Sequence, residues 1–160
     1  MLVTLLKTEK ETTQVVQKFA ECCPENKRLI IFLNGELGAG KTFFARAFIK
    51  SLGYPGLVKS PTYTLMETYE VAHFWIYHLD LYRLQSANEI FDMGLCDEFD
   101  HTGIWLIEWP ERALAFLPKP DIVCQIDIIG THRQIQFFAK NHEGSQILHL
   151  FNQCLNNNEH

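Results

Sequence analysis

The sequence predicts an α/β fold with a mostly parallel central sheet, antiparallel additions and helices on both faces, and three observations lead to it. Residues 29–33 (LIIFL) form a continuous apolar run of the kind found in strands buried on both faces of a sheet. A glycine-rich turn and a helical pattern follow it directly. Two further apolar runs, residues 74–79 and 104–107, each end abruptly in an acid, Asp80 and Glu108. Helical and strand patterns alternate in the first half, whereas residues 122–129 and 133–139 read as adjacent strands joined by Gly130-Thr131-His132, an antiparallel arrangement.

The elements follow in order from local signals. Thr8-Glu9-Lys10-Glu11 has capping-box spacing and leads into Val15, Val16, Phe19 and Ala20, one face of a helix that Pro24 and Asn26 end. After the strand at 29–33 and the turn at 35–42, Phe43, Phe44, Ala47, Phe48 and Leu52 mark a second helix, with Gly53 placed to stop it. Residues 54–60 form a Gly/Pro loop. Residues 62–70 and 74–79 are rich in β-branched and aromatic side chains; either they pair as a hairpin or the second is a core strand alone. Ser86-Ala87-Asn88-Glu89 repeats the capping-box pattern before a short helix ending near Gly94. Beyond the strand at 104–107, Pro110 suits the first turn of a helix running through Ala113 and Leu114. Residues 146–155 read as a closing helix, and the asparagines at 156–158 as a frayed end.

Composition narrows the function classes. The 160 residues suit one domain, taken as 1–160. Hydrophobic residues at 47% and charged residues at 21% exclude a disordered chain. A net charge of −5 lacks the basic stripe of an autonomous nucleic-acid binder, so RNA enters only through an assembly whose positive surface lies on another subunit. The N-terminal apolar stretch is too short for a signal peptide and the 29–33 run too short to span a bilayer, so a cytoplasmic protein without membrane contact is expected. Cys22, Cys23, Cys96, Cys124 and Cys154 form no C-x-x-C pair and read as reduced, mostly buried thiols rather than disulfides or zinc ligands.

Residues 35–42, GELGAGKT, satisfy G-x-x-x-x-G-K-[ST] at every specified position. Composition alone produces such a match in a chain of this length about 0.5% of the time. A buried-type strand before it and a helix after it are what the chemistry needs. Glycines let backbone N–H groups turn inward as an anion nest, and the helix N-terminus adds positive potential. This motif makes the expected fold a P-loop NTPase, with Lys41 reaching the β- and γ-phosphates of a nucleotide and the Thr42 hydroxyl on Mg²⁺. Such a loop needs a carboxylate at the end of a neighbouring strand to hold the metal or its waters, and Asp80 is so placed. Glu108 ends another strand and either binds Mg²⁺ or polarises the attacking water. Lys41, Asp80 and Glu108 are the candidate catalytic residues. Thr62 stands where a switch segment follows a P-loop helix; it senses the γ-phosphate, helps hold Mg²⁺, or only shapes a turn. Trp109 reads as a core or interface aromatic placed to report nucleotide or partner. No arginine stands out as an arginine finger, and none of the seven histidines has a nucleophile partner, so none is assigned to catalysis.

GELGAGKT at 35–42, SPTYTL at 60–65, HLDLYR at 78–83 and IEWPER at 107–112 together closely resemble the TsaE (YjeE) family of bacterial tRNA threonylcarbamoyladenosine synthesis. The matching segments follow the family's order in a chain of the family's size. The resemblance implies a cytoplasmic ATPase that works with the TsaD and TsaB proteins to modify the adenosine beside the anticodon of tRNAs reading A-starting codons, reaching tRNA only through that complex. It implies that ATP is held by Gly35, Glu36, Leu37, Gly38, Ala39, Gly40, Lys41, Thr42 and Phe43. It also implies that Thr42 and Glu108 are Mg²⁺ ligands, that Asp80 is the Walker-B-type acid, and that Thr8 and Arg133 line part of the base pocket. The main rival is a small-molecule P-loop kinase; such enzymes carry an Arg-rich lid, and the five arginines here are not clustered. A GTPase is weaker, for the Asp80 strand ends in Asp-Leu-Tyr-Arg rather than in D-x-x-G. A non-hydrolysing, nucleotide-dependent scaffold is the binding-module alternative.

Overall fold

The structure is a computed structural model that describes residues 1–157. Its centre is a run of four parallel strands: β2 (Arg28–Asn34) lies between β5 (Gly103–Glu108) and β6 (Ile122–Ile129), and β4 (Phe74–Asp80) lies beyond β5. Antiparallel strands extend both sides. β3 (Met66–Val71) pairs with β4, β7 (His132–Ala139) pairs with β6, and β1 (Leu2–Leu6) pairs with β7. The resulting order is β1-β7-β6-β2-β5-β4-β3, the mostly parallel sheet with antiparallel additions expected from the sequence.

Because successive strand residues point to opposite faces, the buried runs feed two cores. Leu29, Ile31 and Leu33 join Ile104, Leu106, Ile126 and Phe137 beneath α1 (Glu9–Glu21), α2 (Lys41–Ser51) and α5 (His142–Asn156). Phe19 is the hub there, its ring 4.9 Å from Phe137, 5.4 Å from Phe151 and 6.0 Å from Phe48. Ile30, Phe32 and Ile107 face the other way, towards α3 (Asn88–Asp92) and α4 (Leu95–Glu98). In that second core Trp105 stacks on Tyr77 at 4.0 Å and meets Phe99 edge-on. Each such aromatic or aliphatic side chain contributes about 1.5–3 kcal/mol on burial.

Several boundaries follow the predicted signals. Thr8 caps α1 by accepting the Glu11 N–H at 3.1 Å, and the residues around 66–80 form the β3–β4 hairpin. Three expectations are corrected. The helix after Pro110 is two 3₁₀ turns, Pro110–Arg112 and Leu114–Phe116, because Ala113 at φ −148° leaves the helical path between them. The Ser86 capping signal holds: before α3 at Asn88 the Asn88 N–H donates to Ser86 Oγ, and the Glu89 carboxylate accepts from Gln85 and Ser86 N–H. α5 begins at His142 rather than 146, since the Asn141 side chain caps it by accepting the Gly144 N–H at 2.9 Å. Only two of the five thiols, Cys23 and Cys124, are buried, and Cys154 is exposed; all five are free. The N-terminal apolar residues, given no element in the sequence reading, form edge strand β1. Asn156 closes α5, whereas Asn158 lies outside the described residues. No helix among the described residues is long and apolar enough to cross a membrane.

Asp121 joins four elements. Its backbone N–H donates to Ile30 O at 2.8 Å, and its Oδ2 accepts the Ile30 N–H at 2.7 Å, so the carboxylate starts the β2–β6 ladder. Oδ1 accepts from Asn141 Nδ2 at 2.6 Å beside the α5 cap, and Asp121 O accepts the Lys140 N–H beyond β7. Removing a charged acceptor from a buried N–H costs about 1.5–3 kcal/mol. Asp121→Ala is therefore expected to lose about 2–3 kcal/mol in urea denaturation and Asp121→Asn less, with no change in the secondary-structure spectrum of the folded state.

Candidate functional site

Parallel register brings three strand ends to one edge of the sheet. Leu33 on β2 and Asp80 on β4 both stand opposite Glu108 on β5, so the chain leaving β2 emerges beside two carboxylates. The loop at 35–40 turns there into α2. Gly35 crosses so close to β6 that a Cβ would lie 2.4 Å from Ile126 O, which a backbone without a side chain alone permits. Gly40, at φ 111°, is the N-cap of α2 and leads the first-turn N–H groups, which have no intrahelical acceptor, into the loop.

Lys41 is buried, and its Nζ donates to Gly35 O at 2.6 Å and Glu36 O at 2.8 Å. The ammonium also lies 4.0 Å from the centre of the Trp109 ring. Burial pulls its pKa down, and the nearby acids, Glu108 foremost, partly restore it. The Thr42 hydroxyl donates to Glu108 Oε2 at 3.1 Å, tying the start of α2 to the end of β5. The other Glu108 oxygen is 3.4 Å from His78 Nε2, and both side chains are enclosed, 1% and 0% exposed. Asp80 is half-buried; its Oδ1 accepts the Tyr82 N–H at 3.1 Å. Burial first, and the Glu108 charge second, push the Asp80 carboxyl above the ordinary carboxylate range. Trp109 and Leu65, non-glycine residues at φ 56° and 67°, flank this group, and Leu65 O accepts the Asp80 N–H at 3.0 Å.

The loop separates two cavities. One, of about 380 Å³, is lined by Leu37, Gly40, Lys41, Thr42, Thr62, Asp80, Glu108 and Trp109. Thr62 Oγ1 sits 2.6 Å from Ser60 Oγ on its wall. The other, of about 330 Å³, is lined by Thr8, Gly38, Ala39, Phe43, Thr131 and Arg133. Arg133 Nε donates to Ala39 O at 3.0 Å and Nη2 to Gly38 O at 3.4 Å, so the β6–β7 turn grips the loop from that side. Gly35 and Glu36 line neither cavity and present carbonyls to Lys41.

The donor set suits one kind of ion. The Thr42 hydroxyl and the Glu108 and Asp80 carboxylates are hard oxygen donors, and no group of three or more His, Cys, Asp or Glu side chains among the described residues could hold a metal ion. Mg²⁺ takes one or two protein oxygens and completes its shell with water and phosphate, so these residues fit it and not a closed protein cage. Sequence reasoning missed His78 and Arg83. The signal for His78 is its position two residues before Asp80, which puts both on one face of β4. Arg83 lines the cavity of about 380 Å³ with its guanidinium over the Tyr63 ring at 4.6 Å, a placement no spacing reveals.

Comparison with known proteins points one way. The family model described as "Threonylcarbamoyl adenosine biosynthesis protein TsaE" matches residues 6–136. The tRNA threonylcarbamoyladenosine biosynthesis protein TsaE of Haemophilus influenzae is 43% identical over 138 residues, covering 84% of this chain and 87% of that protein. Its namesake in Rickettsia bellii is 41% identical over 133 residues, 82% of this chain and 90% of the relative. A crystal structure of Bacillus subtilis YdiB is similar with a TM-score of 0.78 at 25% identity, covering 96% of this chain and 95% of that one. The P-loop NTPase fold stands on that likeness and on the sheet order.

The folded protein holds the Asp80 proton more tightly than the unfolded chain, so ionising Asp80 costs stability. That cost is absent below the ordinary value of 3.8 and grows as the pH rises past it. Asp80→Asn keeps the acceptor for Tyr82 N–H. It is expected to raise the melting temperature at pH 7, with the gain shrinking to nothing as the pH falls towards 3.8; a variant less stable than wild type at pH 7 contradicts this electrostatic account.

Proposed function

The chain belongs to the TsaE family, and from that premise we propose that it is an Mg²⁺-dependent ATPase serving tRNA threonylcarbamoyladenosine biosynthesis. The observation that carries the reading is the Thr42–Glu108 hydrogen bond, 3.1 Å long, beside Asp80 at the mouth of the P-loop. It joins the hydroxyl and the carboxylate that a nucleotide-bound ion requires. Thr42 and Glu108 would hold Mg²⁺ and Asp80 its waters. When bound, the ion neutralises charge on the β- and γ-phosphates.

The chain's own residues do the rest. First-turn N–H groups of α2 bind phosphate oxygens, and Lys41 exchanges the carbonyls of Gly35 and Glu36 for the β- and γ-phosphates. Trp109 covers the ammonium and limits water at the transferring group. The cavity of about 330 Å³ between Thr8 and Arg133 takes the adenosine end, within the size range of nucleotide sites. Thr62 reaches the phosphate-side cavity from the segment that follows α2, which suits a γ-phosphate sensor.

TsaD and TsaB are the proposed partners, with tRNA reached through them and the cytoplasm as the compartment. The net charge of −5 supports this division, since the chain offers little attraction of its own to a polyanion. The test is phosphate release by the purified protein with and without the TsaB–TsaD pair. Lys41→Ala and Glu108→Ala are each expected to lower release by roughly 100-fold or more, as for other preorganised phosphate-stabilising groups. Wild-type turnover by either variant rejects the assignment, and a phosphorylated metabolite as product would replace it with the kinase reading.

A further inference from the structure

His78 sits where an apolar residue would pack best. Its neighbours on the same face, Ile76, Ile104 and Leu106, are fully buried hydrophobics of the helix-covered core, and the imidazole has no exposed surface. Nδ1 is buried without a hydrogen-bond partner. An unpaired buried polar atom is destabilising, so the fold alone gives no reason to keep this ring. Nε2, 3.4 Å from Glu108 Oε1, is its one side-chain polar contact among the described residues.

We propose that His78 is a positioning residue for the nucleotide-bound metal: it holds Glu108 Oε1 so that Oε2 stays turned to Thr42 and the ion. The inference rests on the ATPase reading and deepens it. Glu108 is gripped at both oxygens, by the Thr42 hydroxyl at 3.1 Å and by His78 at 3.4 Å, which fixes the rotation of the carboxylate plane. An ion on the Thr42 hydroxyl would use its lone pair and leave its proton on Glu108 Oε2, so the histidine restrains the other oxygen of that carboxylate. The tautomer with the proton on Nε2 donates to Glu108 and leaves Nδ1 as a bare acceptor, the cheaper group to bury unpaired. This is the arrangement by which outer-shell partners orient metal-binding carboxylates, where their loss costs about 10–100-fold in metal affinity.

Three variants decide it. His78→Gln carries an amide N–H at the reach of Nε2; His78→Leu and His78→Asn do not. Binding of the non-hydrolysable adenosine β,γ-imidotriphosphate is measured by titration calorimetry with and without Mg²⁺. The Leu and Asn variants are expected to bind the nucleotide alone as wild type does but to lose about 10-fold or more of the affinity gained with Mg²⁺, while the Gln variant retains it. Equal Mg²⁺ enhancement in wild type and the Asn variant overturns the proposal, even if the Leu variant does not fold. No Mg²⁺ enhancement in wild type removes the ATPase reading itself, and the proposal with it.

Discussion

The site depends on one constraint, the parallel register of β2, β5 and β4. In a parallel ladder every strand delivers its C-terminal residue to the same edge, so the loop after β2 and the acids ending β4 and β5 meet without any long-range search. The interiors of these strands are buried on both faces, and a slip of one residue would turn Glu108 and Asp80 away from α2 and drive Trp105 into the wrong core. Packing thus sets the geometry of the chemistry. The phenylalanines around Phe19 and the Tyr77–Trp105 stack clamp the register from the two faces.

What the register assembles is locally unfavourable. A lysine is desolvated against Trp109, two carboxylates stand side by side, and an imidazole nitrogen has no partner. Trp109 and Leu65 hold left-handed backbone that costs of order 1–3 kcal/mol each at non-glycine residues. These costs lie within a few residues of the strand ends, while the apolar interiors of the same strands carry the stabilising burial. The unfavourable terms share a sign logic: on the proposed function a polyphosphate would take up the Lys41 charge, and a divalent cation would relieve the repulsion between Asp80 and Glu108.

Much of this was legible in the chain because it is local. The buried run at 29–33, the glycine spacing at 35–42 and the acids at 80 and 108 are short-range patterns, and each strand or turn forms where they predict it. The errors have the opposite character. β1 is a strand because β7 offers an edge to a segment too short to announce itself. The turns after Pro110 are 3₁₀ because the left-handed Trp109 and the non-helical Ala113 prevent a helix that the local residues permit. His78 escaped assignment because its partner, Glu108, is thirty residues away and only sheet register joins them.

The loop's own carbonyls show how an acidic protein can favour an anion at one point. Lys41 ties down the carbonyls of Gly35 and Glu36, and Arg133 those of Gly38 and Ala39, so cations from two sides occupy the loop's negative ends. Of the N–H groups in those peptides, that of Ala39 donates within the loop to Glu36 O at 3.1 Å, whereas the first turn of α2 has N–H groups with no intrahelical acceptor. On the proposed function, attraction for phosphate would come from oriented dipoles and two local cations rather than from net charge, and it would decay within a turn of helix. On the proposed function a surface of net charge −5 would hold a nucleotide this way while offering little attraction to the backbone of a tRNA. Selectivity between the small polyanion and the large one follows from the range of the forces.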